Sequence, residues 1–158
     1  MAGERLALKE ARKDLEALWA QLTRFHKAGW LMGAGSPSGS DTNTSDLGIV
    51  QGHAYALLAV RQEDGHQLVR LRNPWGKVEW SGDWSDESPL WTGRMKSRLG
   101  WSHVDDGTFW MSLDDFTTHF ARLYVCKLPS ASWHRPRPPP PPRTPSWPPP
   151  PGPPAPTP

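Results

Sequence analysis

Sixteen of the chain's 19 prolines fall in its last 30 residues, 129–158. A ring that fixes φ and removes a backbone donor cannot be placed that densely in a packed helix or sheet. The partition therefore divides the 158 residues into a body, 1–128, and a proline-rich tail, 129–158, expected to be disordered and to favour polyproline II. The tail holds Arg135, Arg137 and Arg143 and no acidic residue, so a net charge of +2 for the whole chain becomes −1 for the body. A body of that sign is not a basic nucleic-acid binder. It is long enough for one core and too short for a second. Eight of the ten Trp belong to it, a large aromatic content for one core. A single Cys, Cys126, excludes an intramolecular disulfide framework and a Cys-rich zinc site. No apolar run approaches the ~20 residues of a membrane span. The opening MAGERLALKEARKD is too charged for a secretory signal, so the expected setting is cytoplasmic.

Within the body, Leu8, Ala11, Leu15, Leu18, Leu22 and Phe25 recur at steps of three and four, which predicts one amphipathic helix over 4–28, stopped by Gly29. Residues 33–46, rich in Gly, Ser, Asn and Asp, predict a flexible loop. HAYALLAV (53–60) and QLVRLRN (67–73) read as strands of a hairpin turning at Asp64-Gly65. Residues 74–107 predict short strands and ordered loops pinned by Trp75, Trp80, Trp84 and Trp91. Gly107–Met111 reads as a strand. Ser112 with Asp115 forms a partial capping box for a short helix, and RLYVCKL (122–128) is the last strand. The expected class is α+β, mainly antiparallel β.

Two segments of the hairpin carry chemistry, QGHAY (51–55) and RNPWG (72–76). Register decides whether His53 and Asn73 can meet. A two-residue turn at Asp64-Gly65 would pair Glu63 with His66 and set His53 and Asn73 on opposite faces. A three-residue loop, Glu63-Asp64-Gly65, pairs Gln62 with His66 and brings His53 opposite Trp75, with Asn73 its diagonal neighbour. The second register is preferred, and it puts Tyr55, Leu57, Val69 and Leu71 on the same face. A His beside an Asn suits a thiol nucleophile. The amide oxygen accepts one ring N–H, and the other ring nitrogen accepts the thiol proton. Isolated His and Asn residues are common, and the pair alone also fits an ordinary half-buried strand histidine beside a turn residue.

DLEALWAQLTRFHKAG (14–29), WLMGAG, GHAY, LVRLRNPWGKVEWSGDWSD, DGTFWMSLDDFTTHF and RLYVCKL, in this order and spacing, resemble the calpain cysteine proteases. The resemblance covers roughly residues 14–128 and is to the second subdomain of their papain-like core. It implies that His53 is the catalytic base, Asn73 its orienting partner and Trp75 the indole beside them. It also implies that the nucleophilic Cys, in a Gly-x-Cys-Trp setting, belongs to a first subdomain that this sequence does not contain. Cys126 follows His53 and Asn73, whereas papain-like enzymes run Cys, His, Asn; it reads as a small buried hydrophobe. The chain is thus expected to be the His/Asn part of an endopeptidase, inactive alone. Its partners would be protein substrates or a Cys-bearing subdomain.

Acidic residues crowd two loops: Glu79, Asp83, Asp86 and Glu87 in one, Asp105 and Asp106 in the other. Calcium takes six to eight such oxygens, although no EF-hand spacing is present. The resemblance implies a Ca²⁺ site from Glu79, Asp86, Asp106 and the Val104 carbonyl, weakened because Thr108 stands where the family has an acidic residue. In the tail, Arg135 to Arg143 fits SH3-ligand patterns in both directions, and Trp147 before four prolines resembles an EVH1-type or profilin ligand. The alternative function is accordingly a non-enzymatic scaffold with a docking tail.

Overall fold

The computed structural model describes residues 3–128, so the expectations for the tail lie outside the described residues. In chain order the elements are β1 (Gly3–Ala7), α1 (Leu8–Ala11), α2 (Leu15–Lys27), β2 (Leu31–Gly35), β3 (Ala54–Glu63), β4 (His66–Arg72), α3 (Gly93–Leu99), β5 (Thr108–Ser112), α4 (Leu113–His119) and β6 (Arg122–Cys126). The strands form one sheet in the order β1-β6-β2-β3-β4-β5, and every pairing is antiparallel. This is the expected α+β class.

The helix predicted over 4–28 is broken in two places. Gly3–Ala7 is an edge strand, registered on β6 with Leu6 opposite Leu123. Strand pairing thus overrides the helix propensity of this segment. A four-residue helix and a 3₁₀ turn, Arg12–Asp14, follow. Asp14 then restarts the chain as an N-cap, its carboxylate accepting from the Ala17 N–H at 2.9 Å. The apolar face survives the breaks: Leu8, Leu18, Leu22 and Phe25 are all in the core. At the far end the Trp30 N–H reaches the Phe25 carbonyl at 3.1 Å while Gly29 takes φ +70°, a Schellman close.

Two clusters lie on opposite faces of the sheet, and strand alternation sorts residues between them. Tyr55, Leu57, Val60, Val69, Leu71, Phe109 and Met111 join α2 and α4 in the larger cluster. Leu68 and Trp110 join Trp84, Trp91, Met95 and Leu99 in the smaller one. The region 74–107 contains no strand; α3 packs there instead, capped by Thr92 and ended by Gly100 in the left-handed region. Trp80, Trp84 and Trp91 are buried anchors of this region as expected, whereas Trp75 is exposed. Gly33–Gly35 of the predicted flexible loop belong to β2. The rest is knitted by Gly52 N–H to Pro37 O (2.7 Å), Gln51 N–H to Asn43 O (2.8 Å) and the buried Ile49 and Val50.

The hairpin corrects the expected turn. Glu63 pairs with His66 across a two-residue turn, with Asp64 and Gly65 both at positive φ. The extra residue lies inside β3: Ala59 pairs with Arg70 and Leu57 with Leu71, so Leu58 is bulged and exposed. Below the bulge the ladder continues with Ala56 opposite Arg72. Extended by its own step, that register sets His53 opposite Trp75. The relationship expected from a three-residue loop is reached by a bulge instead.

Candidate active site

His53 is the residue before β3, and Asn73 follows the last residue of β4. His53 Nε2 lies 2.9 Å from Asn73 Oδ1. The amide orientation is fixed by its surroundings. Asn73 Nδ2 donates to the carbonyls of Lys77 (2.9 Å) and Val78 (3.0 Å), while Oδ1 accepts from the Trp75 N–H at 3.1 Å. An oxygen so fixed can only accept, so Nε2 of His53 carries the proton and Nδ1 is the basic nitrogen of the neutral ring. Asn73 is fully buried, and its own N–H donates to Gly107 O at 2.7 Å. A buried carboxamide with every polar atom engaged is a rigid support.

Two aromatic rings flank the imidazole. The Trp75 ring lies at 4.5 Å between centroids, tilted 45°, and is 44% exposed, so it screens the ring from one side while remaining open to solvent. Tyr55 meets the imidazole edge-on at 5.1 Å. The Tyr55 hydroxyl accepts from the Val50 N–H at 2.9 Å, and burial pushes its phenol pKa up, so it stays neutral. Ser36, which sequence reasoning passed over inside a Ser-rich segment, bonds the His53 backbone on both sides.

The acidic loops meet next to this group. Glu79 Oε1 accepts from the N–H groups of Asp106 (3.0 Å) and Gly107 (2.7 Å), and Asp106 Oδ1 accepts from the Thr108 N–H at 2.9 Å. The Val104 carbonyl accepts from the Asp106 N–H at 2.7 Å. Burial raises the Glu79 pKa, with repulsion from Asp86 and Asp105 adding to it. Burial also raises that of Asp86, with repulsion from Asp106 and Glu87 adding against the pull of His103. The expected ligands therefore neighbour one another, yet among the described residues no group of three or more His, Cys, Asp or Glu side chains is set to hold a metal ion. In this arrangement Glu79 Oε1 and Asp106 Oδ1 are already engaged by backbone N–H groups.

Cys126 lies opposite Leu31 of β2, five positions along that strand from Ser36, which bonds His53. At the rise of an extended chain this separation is ~17 Å, far outside proton-transfer reach. The described residues include no helix long and apolar enough to cross a membrane.

A family model described as "Calpain family cysteine protease" matches residues 2–127. The chain belongs to the calpain family. It is 53% identical to the calpain-type cysteine protease DEK1 of Arabidopsis thaliana over 135 residues, 80% of this chain and 6% of that protein. Against calpain-9 of Rattus norvegicus it is 40% identical over 133 residues, 79% of this chain and 19% of the relative. The chain thus spans less than a fifth of these calpains.

Proposed function

We propose that this chain supplies the general base and its orienting amide to a calpain-type cysteine endopeptidase. The observation that carries the reading is the 2.9 Å contact of His53 Nε2 with an Asn73 amide whose orientation is fixed on three sides. His53 Nδ1 takes the proton of a thiol, leaving a thiolate–imidazolium pair. The Asn73 oxygen holds the ring in place and stabilises the imidazolium through the second N–H. The thiolate attacks the peptide carbonyl, His53 returns the proton to the leaving amine, and water then hydrolyses the thioester with His53 again as base. Trp75 limits water on one side of the dyad.

The thiol comes from outside this sequence, because Cys126 is too distant. The partners are accordingly a Cys-bearing subdomain and protein substrates, in a cytoplasmic setting; the tail adds SH3, EVH1 or profilin ligand patterns.

A chimera tests the reading. Residues 15–128 replace the aligned segment of rat calpain-9, and hydrolysis of a fluorogenic peptide is followed. Activity is expected in the chimera and a loss of about 10³-fold or more with His53→Ala. A folded chimera that is inactive, or one indifferent to His53→Ala, would refute the assignment.

A further inference from the structure

We infer that Ser36 is a positioning residue for the His53 imidazole, acting by closing the β2–β3 ladder with its hydroxyl. This rests on the reading of His53 as the base. From Met32 opposite Leu57 to Gly35 opposite Ala54, β2 and β3 run in regular antiparallel register. The next pair is Ser36 and His53. Its first bond is regular: Ser36 N–H donates to His53 O at 3.0 Å. In a regular narrow pair the return bond would run from His53 N–H to the Ser36 carbonyl. Here the His53 N–H donates to Ser36 Oγ at 2.9 Å, and the same hydroxyl donates to His53 O at 3.1 Å. A side-chain oxygen thus replaces a main-chain one at the residue that bears the imidazole.

The sequence accounts for the substitution. Pro37 follows Ser36, and a residue before proline has restricted backbone freedom. The chain leaves the sheet there for the 37–52 loop and returns at Gly52, whose N–H meets Pro37 O at 2.7 Å. Gly52 has φ +61°, and a Cβ on it would stand 2.2 Å from Gly39 O, so the loop closes tightly against the base's own segment. Ser36 is 5% exposed, so water cannot readily take over its bonds. Below this closure His53 has no further ladder partner from β2, and its ring must stay in line with an amide that cannot move. An alanine at 36 leaves the His53 N–H unpaired and the His53 backbone held by one bond instead of three.

The test is ¹⁵N NMR of the histidine rings in the full chain, reading the His53 tautomer and the exchange rate of its Nε2–H. The wild type is expected to hold the Nε2–H tautomer with slow exchange. Ser36→Ala is expected to accelerate that exchange about tenfold and to mix the tautomers. Ser36→Thr, which keeps the hydroxyl, should stay within about twofold of the wild type. Unchanged exchange in Ser36→Ala, or equal loss in Ser36→Thr and Ser36→Ala, overturns the inference. Asn73→Ala separates the two ideas. If it changes the tautomer while Ser36→Ala does not, the dyad stands and the role of Ser36 falls. If Asn73→Ala leaves the tautomer unchanged, the dyad reading falls as well.

Discussion

Asn73 and Gly107 are joined backbone to backbone: the Asn73 N–H donates to the Gly107 carbonyl at 2.7 Å. The Gly107 N–H in turn donates to the Glu79 carboxylate at 2.7 Å. One glycine therefore ties the amide that supports His53 to the acidic loops. It does so at φ +83°, and a Cβ added there would lie 2.6 Å from Asn73 O and 3.0 Å from the Gly76 Cα. Both neighbours are backbone, so neither yields by rotating a side chain.

Gly107→Ala is expected to cost about 2–4 kcal/mol, from left-handed strain plus displacement of a buried backbone pair. The urea midpoint measures the loss. The displacement should also quicken exchange of the His53 Nε2–H. A variant as stable as the wild type would mean that the Asn73–Gly107 bond contributes little to rigidity.

The bulge in β3 makes a less intuitive prediction. Leu57 is buried opposite Leu71, and Leu58, the same residue type, is exposed and unpaired. Deleting either gives one sequence, in which the remaining Leu follows Ala56 and precedes Ala59. The pairings Leu57–Leu71 and Ala56–Arg72 survive, so His53 should stay on the face of Asn73. The deletion is expected to cost less than about 2 kcal/mol and to preserve the His53 ring tautomer. Loss of the tautomer with retention of the fold would show that the twist of the bulge aims the histidine.

This same bulge marks the limit of what the sequence discloses. The β3–β4 hairpin, β5, β6 and the Ser112 cap were legible because alternation, turn residues and a capping box are local signals. The meeting of His53 with Asn73 was legible from the need to share a face. Where the odd residue goes was not, because consecutive leucines satisfy either face and the core chooses between them. Helix formers in GERLA hid β1, whose structure depends on a partner strand more than a hundred residues away. The seven-residue α3 was masked by polar surroundings, although Thr92, Met95, Leu99 and Gly100 carried its cap, face and stop. Ser36 gave no signal, since its role exists only across the ladder.

Asp86 gives a pH dependence. Burial foremost, then repulsion from Asp106 and Glu87, raises its carboxyl pKa in the folded chain, against attraction from His103 and the Val104 N–H. The folded state then holds this proton more tightly than the unfolded state. Its contribution to stability is greatest below the ordinary carboxylate value and is lost as pH rises through the folded value. Glu79, raised by burial, acts in the same direction. Asp86→Asn is expected to raise the urea midpoint near neutral pH and to flatten its fall as pH rises above the ordinary carboxylate range. A steeper fall in the variant would reverse the assigned sign.

Thr108 sets the expected response to calcium. Asp106 Oδ1 is occupied by the Thr108 N–H at 2.9 Å, and Glu79 Oε1 by two backbone N–H groups. An ion entering here must displace these bonds or use the remaining oxygens, and Thr108 adds no carboxylate to their charge. Hard cations are selected by oxygen number and ligand charge. At about 1 mM Ca²⁺ the thermal midpoint of the wild type is expected to stay constant, whereas that of Thr108→Glu should rise by about 2–4 °C. Differential scanning fluorimetry with Mg²⁺ as a control reads both. An equal rise in the two proteins would show that the native loops rearrange around the ion without help at position 108, and that the hydrogen bonds now holding Glu79 and Asp106 are readily exchanged for it.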